Sequence, residues 1–420
     1  MIEQIQLFPG IVLQCHRDSR FKHGSVSIQL VRPMDRREAA LNALLPAVLL
    51  RGSRNYPDLR AITLRLDDLY GAHVGTTVRR VGDYQTTGLG CGFLEDRFAL
   101  PGDRVLAPTL DFLRELLLEP DTEKGIFRED YVQSEKKNLI SAIEAQRNDK
   151  RAYASDRLVS LMCPEDSYGV PRLGELDAVK AITPQSLWDH YQKILKESPI
   201  QLFYTGSLST EQVAALLSPI FADLPRAFRP LPPQTDLLPS PHREEQEALD
   251  VTQGKLCMGF VTPITLRDPR FVAMQVLNMI FGGSMTNKLF MTIREEMSLC
   301  YDIGSGYYGS KGILTVSAGL DFDKYLVVRQ QVMEQLELCV QGKITPQELE
   351  GAKQALICQL RATHDSPASI ESYYGTAALS GLSMDPDSYL RQAAEITLEQ
   401  VMEAAATVQL HSVFFLKGVS

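Results

Sequence analysis

The feature that most constrains this chain of 420 residues is a proline-rich stretch at its middle. Residues 224–242 read LPRAFRPLPPQTDLLPSPH and contain six prolines. Proline cannot continue a helix or donate to a central sheet strand, so the stretch is predicted to be an extended linker. We therefore expect an N-terminal domain over 1–223, a linker over 224–245 and a C-terminal domain over 246–420.

Five segments recur in both halves of the chain, and they recur in the same order. The matched pairs are LLRGS (49–53) with IFGGS (280–284), DLYGAHV (68–74) with SLCYDI (298–303), YQTTGLGCGFLED (84–96) with GILTVSAGLDFD (312–323), AVKAITPQSLWDHYQKI (178–194) with QAAEITLEQVMEAAATV (392–408), and IQLFYTGSLS (200–209) with HSVFFLKGVS (411–420). Because the order never breaks, the matches indicate an internal duplication. Each half should therefore fold as the same kind of domain.

Hydrophobic periodicity predicts both strands and helices in each half. Alternation in 25–31 and 87–93 is typical of strands with one buried face. Helical spacing of apolar residues marks 38–50, 129–147, 184–196, 271–281, 325–341 and 346–362. Strands and helices do not alternate strictly, so the pattern favours an α+β fold, with each sheet packed against helices, over a doubly wound parallel sheet.

Charge and cysteine content exclude several classes of protein. The chain has 43 basic and 52 acidic residues, a net charge of −9, and no concentrated basic run, which argues against a nucleic-acid partner. Seven scattered cysteines without a CxxC pair argue against a disulfide framework and a thiolate zinc site. The N-terminus lacks a secretory signal pattern, and no apolar run is long enough to cross a membrane. We expect a soluble cytoplasmic protein.

Familiar catalytic motifs do not explain this sequence. It has no GxSxG elbow, no P-loop and no dinucleotide fingerprint, and no two histidines are spaced as a helical metal pair. His190 is expected to be exposed on a helix, and His73 to be a half-buried structural residue. The glycines of 88–96 are expected to permit close packing inside a strand, with Cys91 as a small core residue.

The most specific string is GGSMTNKLFMTIREEMSLCYDI (282–303). It resembles the C-domain signature of the pitrilysin/insulinase/mitochondrial processing peptidase family, in which a glycine turn leads into a helix. The matching residues are Gly282, Gly283, Leu289, Phe290, Ile293, Arg294, Glu295, Leu299 and Tyr301. With the duplicated halves and the linker, the resemblance covers nearly the whole chain. It implies the pitrilysin-like metallopeptidase fold: two homologous α/β sandwich halves arranged as a clam-shell.

Active members of that family are inverzincins that bind zinc through an HxxEH motif on a helix. Counting back from Gly52, the three motif positions fall on Ala43, Pro46 and Ala47, none of which can bind metal or accept a proton. Pro46 removes the N–H that would bond the carbonyl of Asn42, so the helix should kink or begin near Leu45.

The later acidic pair of the family is half retained. The resemblance places Glu135 at its first position and Ala142 at the second, which is the zinc ligand in active relatives. We expect no family-type zinc site and no cofactor in this chain; zinc would reside in a partner. The run around Glu135 is also consistent with an ordinary solvated helix.

Arg294 and Tyr301 correspond to a family pair that reaches the zinc site from the C-domain. On spacing alone, a salt-bridged arginine and an interfacial tyrosine would explain them, but the surrounding signature favours a role facing substrate. Segment 71–80 lies where the family offers a sheet edge to extended peptide. The resemblance thus implies a non-catalytic subunit that pairs with a zinc-bearing homologue and encloses a peptide chamber, with Arg294 and Tyr301 acting in trans.

Further interpretations remain open. The sequence is similar to an inactive bacterial branch linked to modification of elongation factor P, a link that the resemblance alone implies. One alternative is a metal-free homodimer that binds peptides or a client protein and cleaves nothing. Another is a self-sufficient metallopeptidase that uses an unusual ligand set, for example Glu135 with His73.

Overall fold

Each half of the sequence builds one mixed β-sheet with helices packed against it. The computed structural model describes residues 2–419. The strands of the first half are Ile2–Phe8 (β1), Ile11–Arg17 (β2), His23–Pro33 (β3), His73–Val81 (β4), Tyr84–Leu94 (β5), Thr122–Glu123 (β6), Ile126–Phe127 (β7) and Ile200–Gly206 (β8). Its α-helices are Ala39–Leu49 (α1), Leu59–Asp68 (α2), Leu106–Leu118 (α3), Glu129–Asn148 (α4), Lys150–Met162 (α5), Leu176–Ala181 (α6), Pro184–Glu197 (α7) and Thr210–Phe221 (α8).

The second half follows the same plan with fewer elements. Its strands are Arg243–Leu249 (β9), Gly254–Val261 (β10), Asp302–Tyr308 (β11), Ile313–Leu320 (β12) and Gln409–Gly418 (β13). Its α-helices are Phe271–Asn278 (α9), Tyr325–Val340 (α10), Pro346–Ala362 (α11), Pro367–Ser380 (α12), Pro386–Glu395 (α13) and Leu398–Ala405 (α14). Met279–Gly283 and Leu289–Glu296 are π-helical. The predicted α+β fold is confirmed, and the helix predictions agree with α1, α4, α7, α9, α10 and α11.

The two main sheets have the same topology. The first has the strand order β1-β2-β8-β3-β5-β4, and the second, read in the matching direction, has β9-β13-β10-β12-β11. In each sheet one pair is parallel, β2 with β8 and β9 with β13, and the other pairs are antiparallel. Apart from the additional β1, the strands correspond one to one, as the repeated segments predict.

Local backbone features recur at matching positions as well. Thr183 is the N-cap residue of α7, and Thr397 is the N-cap residue of α14. In each case the threonine side chain accepts a hydrogen bond from the backbone N–H of the third helical residue, in a capping box. Tyr70 and Ser298, at equivalent places before β4 and β11, both have positive φ, 62° and 52°. An L-residue rarely adopts this conformation, so its presence in both halves indicates that the connection itself requires it.

The described chain divides into two compact units, and each takes one segment from the other half of the sequence. The first unit comprises the described residues up to Glu144, Val170–Pro233 and His364–Thr376. The second comprises Ala145–Gly169, Gln234–Thr363 and the described residues from Ala377 onward.

Residues 224–242, predicted to be an extended linker, contain no helix or strand. No helix within residues 2–419 is both long enough and apolar enough to span a membrane.

In the first unit, the segment His364–Thr376 is held against the sheet by polar contacts. Glu371 receives two hydrogen bonds from Arg79 of β4, at 3.1 and 2.8 Å, and one of 3.0 Å from the hydroxyl of Ser27 on β3. The ring of Tyr374 lies 6.3 Å from that of His16 on β2. Because a two-point arginine–carboxylate contact fixes orientation as well as distance, Arg79 and Glu371 determine how this segment sits on the sheet.

In the second unit, the borrowed helix α5 packs on β10 and β13. Just beyond it, Asp166 forms an ion pair with Lys311, in which both side chains are essentially inaccessible to solvent. Lys311 also donates to the carbonyl of Thr235, and the backbone N–H of Leu238 donates to Asp166. Since a buried charge is costly unless it is paired and hydrogen-bonded, these contacts fix the proline-rich segment where it enters the second unit.

The core of the first unit contains a polar group at its centre, Asn42 of α1, which is 0% exposed. Its amide donates to Oε1 of Gln85 on β5 at 2.8 Å, and its Oδ1 accepts from Nε2 of His190 on α7 at 2.7 Å. Gln85 in turn donates to the carbonyl of Ala39. A fully satisfied network of this kind joins the helix, the sheet and the second helix at one point.

The expectation that His190 is exposed on its helix is wrong. It is 5% exposed, and burial lowers the pKa of its imidazole to about 4. The folded state therefore binds this proton more weakly than the unfolded chain, whose histidine titrates near 6.5. Stability from this group is present above the unfolded pKa and is lost as the pH falls from about 6.5 towards 4.

We predict that His190→Gln flattens the dependence of stability on pH. Glutamine can still donate to Asn42 but does not titrate, so the variant should lose about 2 kcal/mol less than the wild type when the pH falls from 7 to 5. Urea unfolding at the two pH values measures this difference. His23→Gln, at an exposed histidine, is the control and should follow the wild type. Equal losses in all three proteins would contradict the prediction.

Candidate functional site

Helix α1 carries the three positions at which the family resemblance places zinc chemistry. Ala43 and Pro46 are buried and Ala47 is partly buried. None of the three side chains has an atom that can bind a metal ion. The helix is continuous from Ala39 to Leu49 with Pro46 inside it, so the option that it begins near Leu45 is wrong.

A side chain from the sheet explains how α1 tolerates its proline. Pro46 has no N–H to donate to the carbonyl of Asn42, one turn earlier. The hydroxyl of Thr87 on β5 donates to that carbonyl instead, at 2.6 Å. The sequence around Pro46 could not reveal this donor, which lies 45 residues away from Asn42.

Glu135, the acidic residue retained on α4, is engaged by an arginine. Its Oε1 lies 3.3 Å from Nη1 of Arg51, and its Oε2 accepts from the amide of Asn138 at 3.0 Å. The Arg51 guanidinium also lies 5.3 Å from the centre of the Tyr131 ring. Arg51 thus supplies the positive charge that Glu135 faces. Ala142, on the same helix, is exposed.

His73 is exposed, so the expectation of a half-buried structural residue is wrong. Its ring lies over Gly92 of the neighbouring strand, where an added Cβ would come within 2.1 Å of it. The unusual ligand set with Glu135 and His73 gains no support from the geometry. Within residues 2–419, no three histidine, cysteine, aspartate or glutamate side chains gather in a way that could hold a metal ion.

Arg294 lies in the π-helical segment of the second unit and is held in place from two sides. Its Nε donates to the backbone carbonyl of Tyr301 at 2.8 Å, and Nη1 donates to Glu295 at 2.9 Å. The guanidinium also stacks 4.6 Å from the ring centre of Phe290. The side chain is 39% exposed, so the charged group is both fixed and accessible.

Tyr301 is the residue immediately before β11, lies next to Arg294 and is 56% exposed. Its phenol donates to Oδ1 of Asp321 at 2.8 Å, and that hydrogen bond raises the pKa of Tyr301. The phenol therefore remains a neutral O–H donor throughout the neutral range. The structure places the two predicted site residues next to each other, with the Arg294 side chain bonded to the main chain of Tyr301.

This pair suits an oxygen that gains negative charge. An arginine remains charged at any relevant pH and offers several N–H donors, and a neutral phenol adds one more. Fixed donors of this kind stabilise a developing oxyanion without having to reorganise. Their part in a reaction stays a prediction.

Sequence reasoning missed a cavity of about 520 Å³ in the first unit. It lies on the sheet face that carries Ser25 and Ser27, and it reaches the edge strand β4 within the predicted peptide edge 71–80. Its lining includes Lys22 and Glu371, which no sequence motif singled out. The available signal was the alternating glycines of β5, which were all assigned to close packing.

Comparison with known families finds a match over the part of the chain that contains Arg294 and Tyr301. Residues 181–356 match the family model described as the peptidase M16 inactive domain. The part of the chain that carries Arg294 and Tyr301 is therefore similar to an M16 peptidase domain. M16 is the pitrilysin-like family whose signature the sequence resembles.

Other proteins are similar to the chain over nearly its full length. The chain is 27% identical over 416 residues to "Probable inactive metalloprotease YmfF" of Bacillus subtilis, covering 97% of this chain and 96% of that protein. The structure of a conserved protein from Enterococcus faecalis V583 has a TM-score of 0.90 and 28% identity, covering 100% of this chain and 99% of the other. The structure of a peptidase M16 inactive domain from Pseudomonas fluorescens has a TM-score of 0.82 and 18% identity, covering 100% and 98%, and shows the shared fold.

The contact between Thr87 and α1 leads to a testable coupling. Thr87→Val leaves the buried carbonyl of Asn42 without a donor and should cost about 1–3 kcal/mol of unfolding free energy. Pro46→Ala restores an N–H one turn after Asn42, so Thr87→Val should cost about 1 kcal/mol less in that background. Urea unfolding of the two single variants and the double variant measures the coupling. The same cost in both backgrounds would show that Thr87 does not serve the carbonyl that Pro46 leaves free.

Proposed function

We propose that this protein is a non-catalytic M16 subunit that pairs with a zinc-bearing homologue and helps bind peptide in a shared chamber. The observation that carries the proposal is the contrast between its two sets of site residues. Arg294 and Tyr301 are fixed and exposed, whereas Ala43, Pro46 and Ala47 offer no ligand. In this proposal Arg294 and Tyr301 act in trans at the partner's zinc site.

The chemistry of the pair is consistent with that role. When a peptide carbonyl is attacked, its oxygen gains charge, and the Arg294 guanidinium and the Tyr301 hydroxyl would donate to it. The hydroxyl now donates to Asp321, so binding the oxyanion exchanges one acceptor for another. Since the exchange needs only rotation of the O–H bond and a nearby acceptor, Tyr301 can serve a partner without a change in fold.

The names of the relatives agree with a protein without its own zinc chemistry. YmfF is described as a probable inactive metalloprotease, and residues 181–356 match an inactive domain. Other relatives keep the name of zinc protease, for example an uncharacterized zinc protease of Rickettsia felis with 21% identity over 72% of this chain. A cytoplasmic setting linked to modification of elongation factor P is part of the proposal and rests on resemblance alone.

The first experiment is affinity purification of the tagged protein from its native cells, with mass spectrometry of the proteins that are retained. We expect a homologue that carries HxxEH in equal amount. A chelator should abolish peptide cleavage by the complex, because the zinc belongs to the partner. Recovery of the protein with no such homologue would overturn the proposal.

With the complex in hand, Tyr301→Phe tests the action in trans. Removal of one oxyanion donor should lower the turnover of a quenched-fluorescence peptide library by about 10²-fold to 10³-fold, while gel filtration shows the complex intact. Tyr308→Phe, at another exposed tyrosine of the second unit, is the matched control and should leave turnover unchanged. Equal turnover of Tyr301→Phe and wild type would exclude the role of this hydroxyl.

A second candidate is a metal-free homodimer that binds peptides or a client protein without cleaving them. The cavity of the first unit favours it, because residues of this chain alone form that cavity. This candidate predicts a single species in the affinity purification and no effect of chelators. The two candidates therefore separate on the same experiment.

A further inference from the structure

One edge of the second sheet is open where the matching edge of the first sheet is covered. β9 corresponds to β2, since each pairs in parallel with the last strand of its half, β13 or β8. β1 pairs with the other side of β2 in an antiparallel ladder. No strand within residues 2–419 pairs with the other side of β9. The first unit therefore shows what kind of element fits this edge, an antiparallel strand.

The main-chain groups that face the open edge of β9 belong to alternate residues. The N–H of Val419 donates to the carbonyl of Leu249 at 3.0 Å, so the main chain of Leu249 faces β13. Because neighbouring residues of a strand direct their main-chain groups to opposite sides, those of Glu244, Gln246 and Ala248 face the open edge. All three residues are exposed. An edge of this kind is a template for another strand.

Glutamates often keep an edge strand from pairing, but most of the charge on β9 is compensated. Glu244 accepts from Arg329 of α10 at 3.1 Å. On the other face of the strand, Arg157 of α5 donates to Glu245, and its Nε lies 3.5 Å from Glu247. Because one arginine serves two glutamates, this face of β9 lacks one positive charge. A strand that supplies this charge would fit the edge.

A second copy of β9 supplies that charge when it lies antiparallel to the first. Arg243 is exposed and makes no ion pair within residues 2–419. With a twofold axis at Glu245, Arg243 of each copy lies opposite Glu247 of the other. Glu244 then lies opposite Gln246, whose amide can donate to it. An axis at Gln246 would instead set Glu245 opposite Glu247, where like charges repel. Charge therefore selects the first of the two registers.

The surroundings of the edge are compatible with a second copy. The two Glu245 carboxylates would meet at the axis, each with its own Arg157. Leu326 of α10 is 69% exposed and lies three residues before Arg329, hence on the same side of the helix. Since Arg329 reaches β9 through Glu244, Leu326 lies beside the edge and adds apolar surface to the contact. Such a contact is small, as in weak dimers.

We propose that two copies of this chain associate through antiparallel β9 strands, with Glu245 on the twofold axis and Arg243 paired with Glu247 across it. The two five-stranded sheets then become one continuous sheet. The inference goes beyond the proposed function, because the contact uses neither Arg294 nor Tyr301 and needs no zinc-bearing homologue. A test on the purified chain alone therefore leaves the proposed function untouched.

Sedimentation velocity of the full chain over a range of concentrations measures the association, and we expect an equilibrium between monomer and dimer. Gln246→Pro removes a main-chain N–H at the centre of the edge and should abolish the dimer. The fold should persist, because this N–H faces away from β13. Gln246→Ala keeps the N–H and is the matched control, which should still dimerise. A monomer at every concentration, or a dimer that survives Gln246→Pro, would overturn the inference.

Charge reversal tests the register, and does so even if the proline variant does not fold. Arg243→Glu and Glu247→Lys should each weaken the dimer about tenfold, because like charges then face each other at two places. An equal mixture of the two variants should recover the dimer, since both cross-strand pairs are again of opposite sign. Arg60→Glu, at an exposed arginine of α2, is the control and should dimerise like the wild type. A mixture that stays monomeric would overturn the inference.

Discussion

The first unit depends on the way Asn42 is held at its centre. Its side chain joins β5 and α7, and its carbonyl accepts from Thr87 because Pro46 cannot donate to it. A buried amide with unsatisfied groups would be strongly destabilising, so each of these partners is needed for α1 to lie where it does. Helix α1, on which the family resemblance places the zinc ligands, is a buried structural element, stabilised by polar contacts on the side facing the core.

The two halves share their topology but differ at the place where chemistry would occur. In the first half, the matched segment 49–53 follows a regular α-helix, and its Arg51 pairs with Glu135. In the second half, the matched segment 280–284 lies in a π-helical stretch, which leads towards the exposed Arg294. The two halves thus share a scaffold, while the exposed donors lie in the second half and the positions where the resemblance places zinc ligands are apolar in the first.

Much of the fold could be predicted because the relevant signals are local. Periodicity predicted α4, α7 and α11 to within a few residues, and the ordered repeats predicted two equivalent sheets. The long-range partners could not be predicted: the buried ring of His190 has a hydrogen-bond acceptor in Asn42, 148 residues away. The candidate site divides in the same way. The motif around Arg294 and Tyr301 was visible in the sequence, but only the packed sheet distinguishes Gly90, which faces open space, from Gly88, which has a carbonyl against it.

The segment His364–Thr376 has a consequence for how this protein is made. It completes the first unit, yet it is synthesised long after the strands it covers. Glu371 accepts a hydrogen bond from Ser27, which lies 344 positions earlier in the chain. On the ribosome, the sheet face that carries His16 and Ser27 therefore forms before the segment that covers it has been synthesised. Contacts that distant in sequence form slowly because a long loop must close first. During translation the nascent first unit thus presents an uncovered polar sheet face, and its final assembly is a late, largely post-translational event.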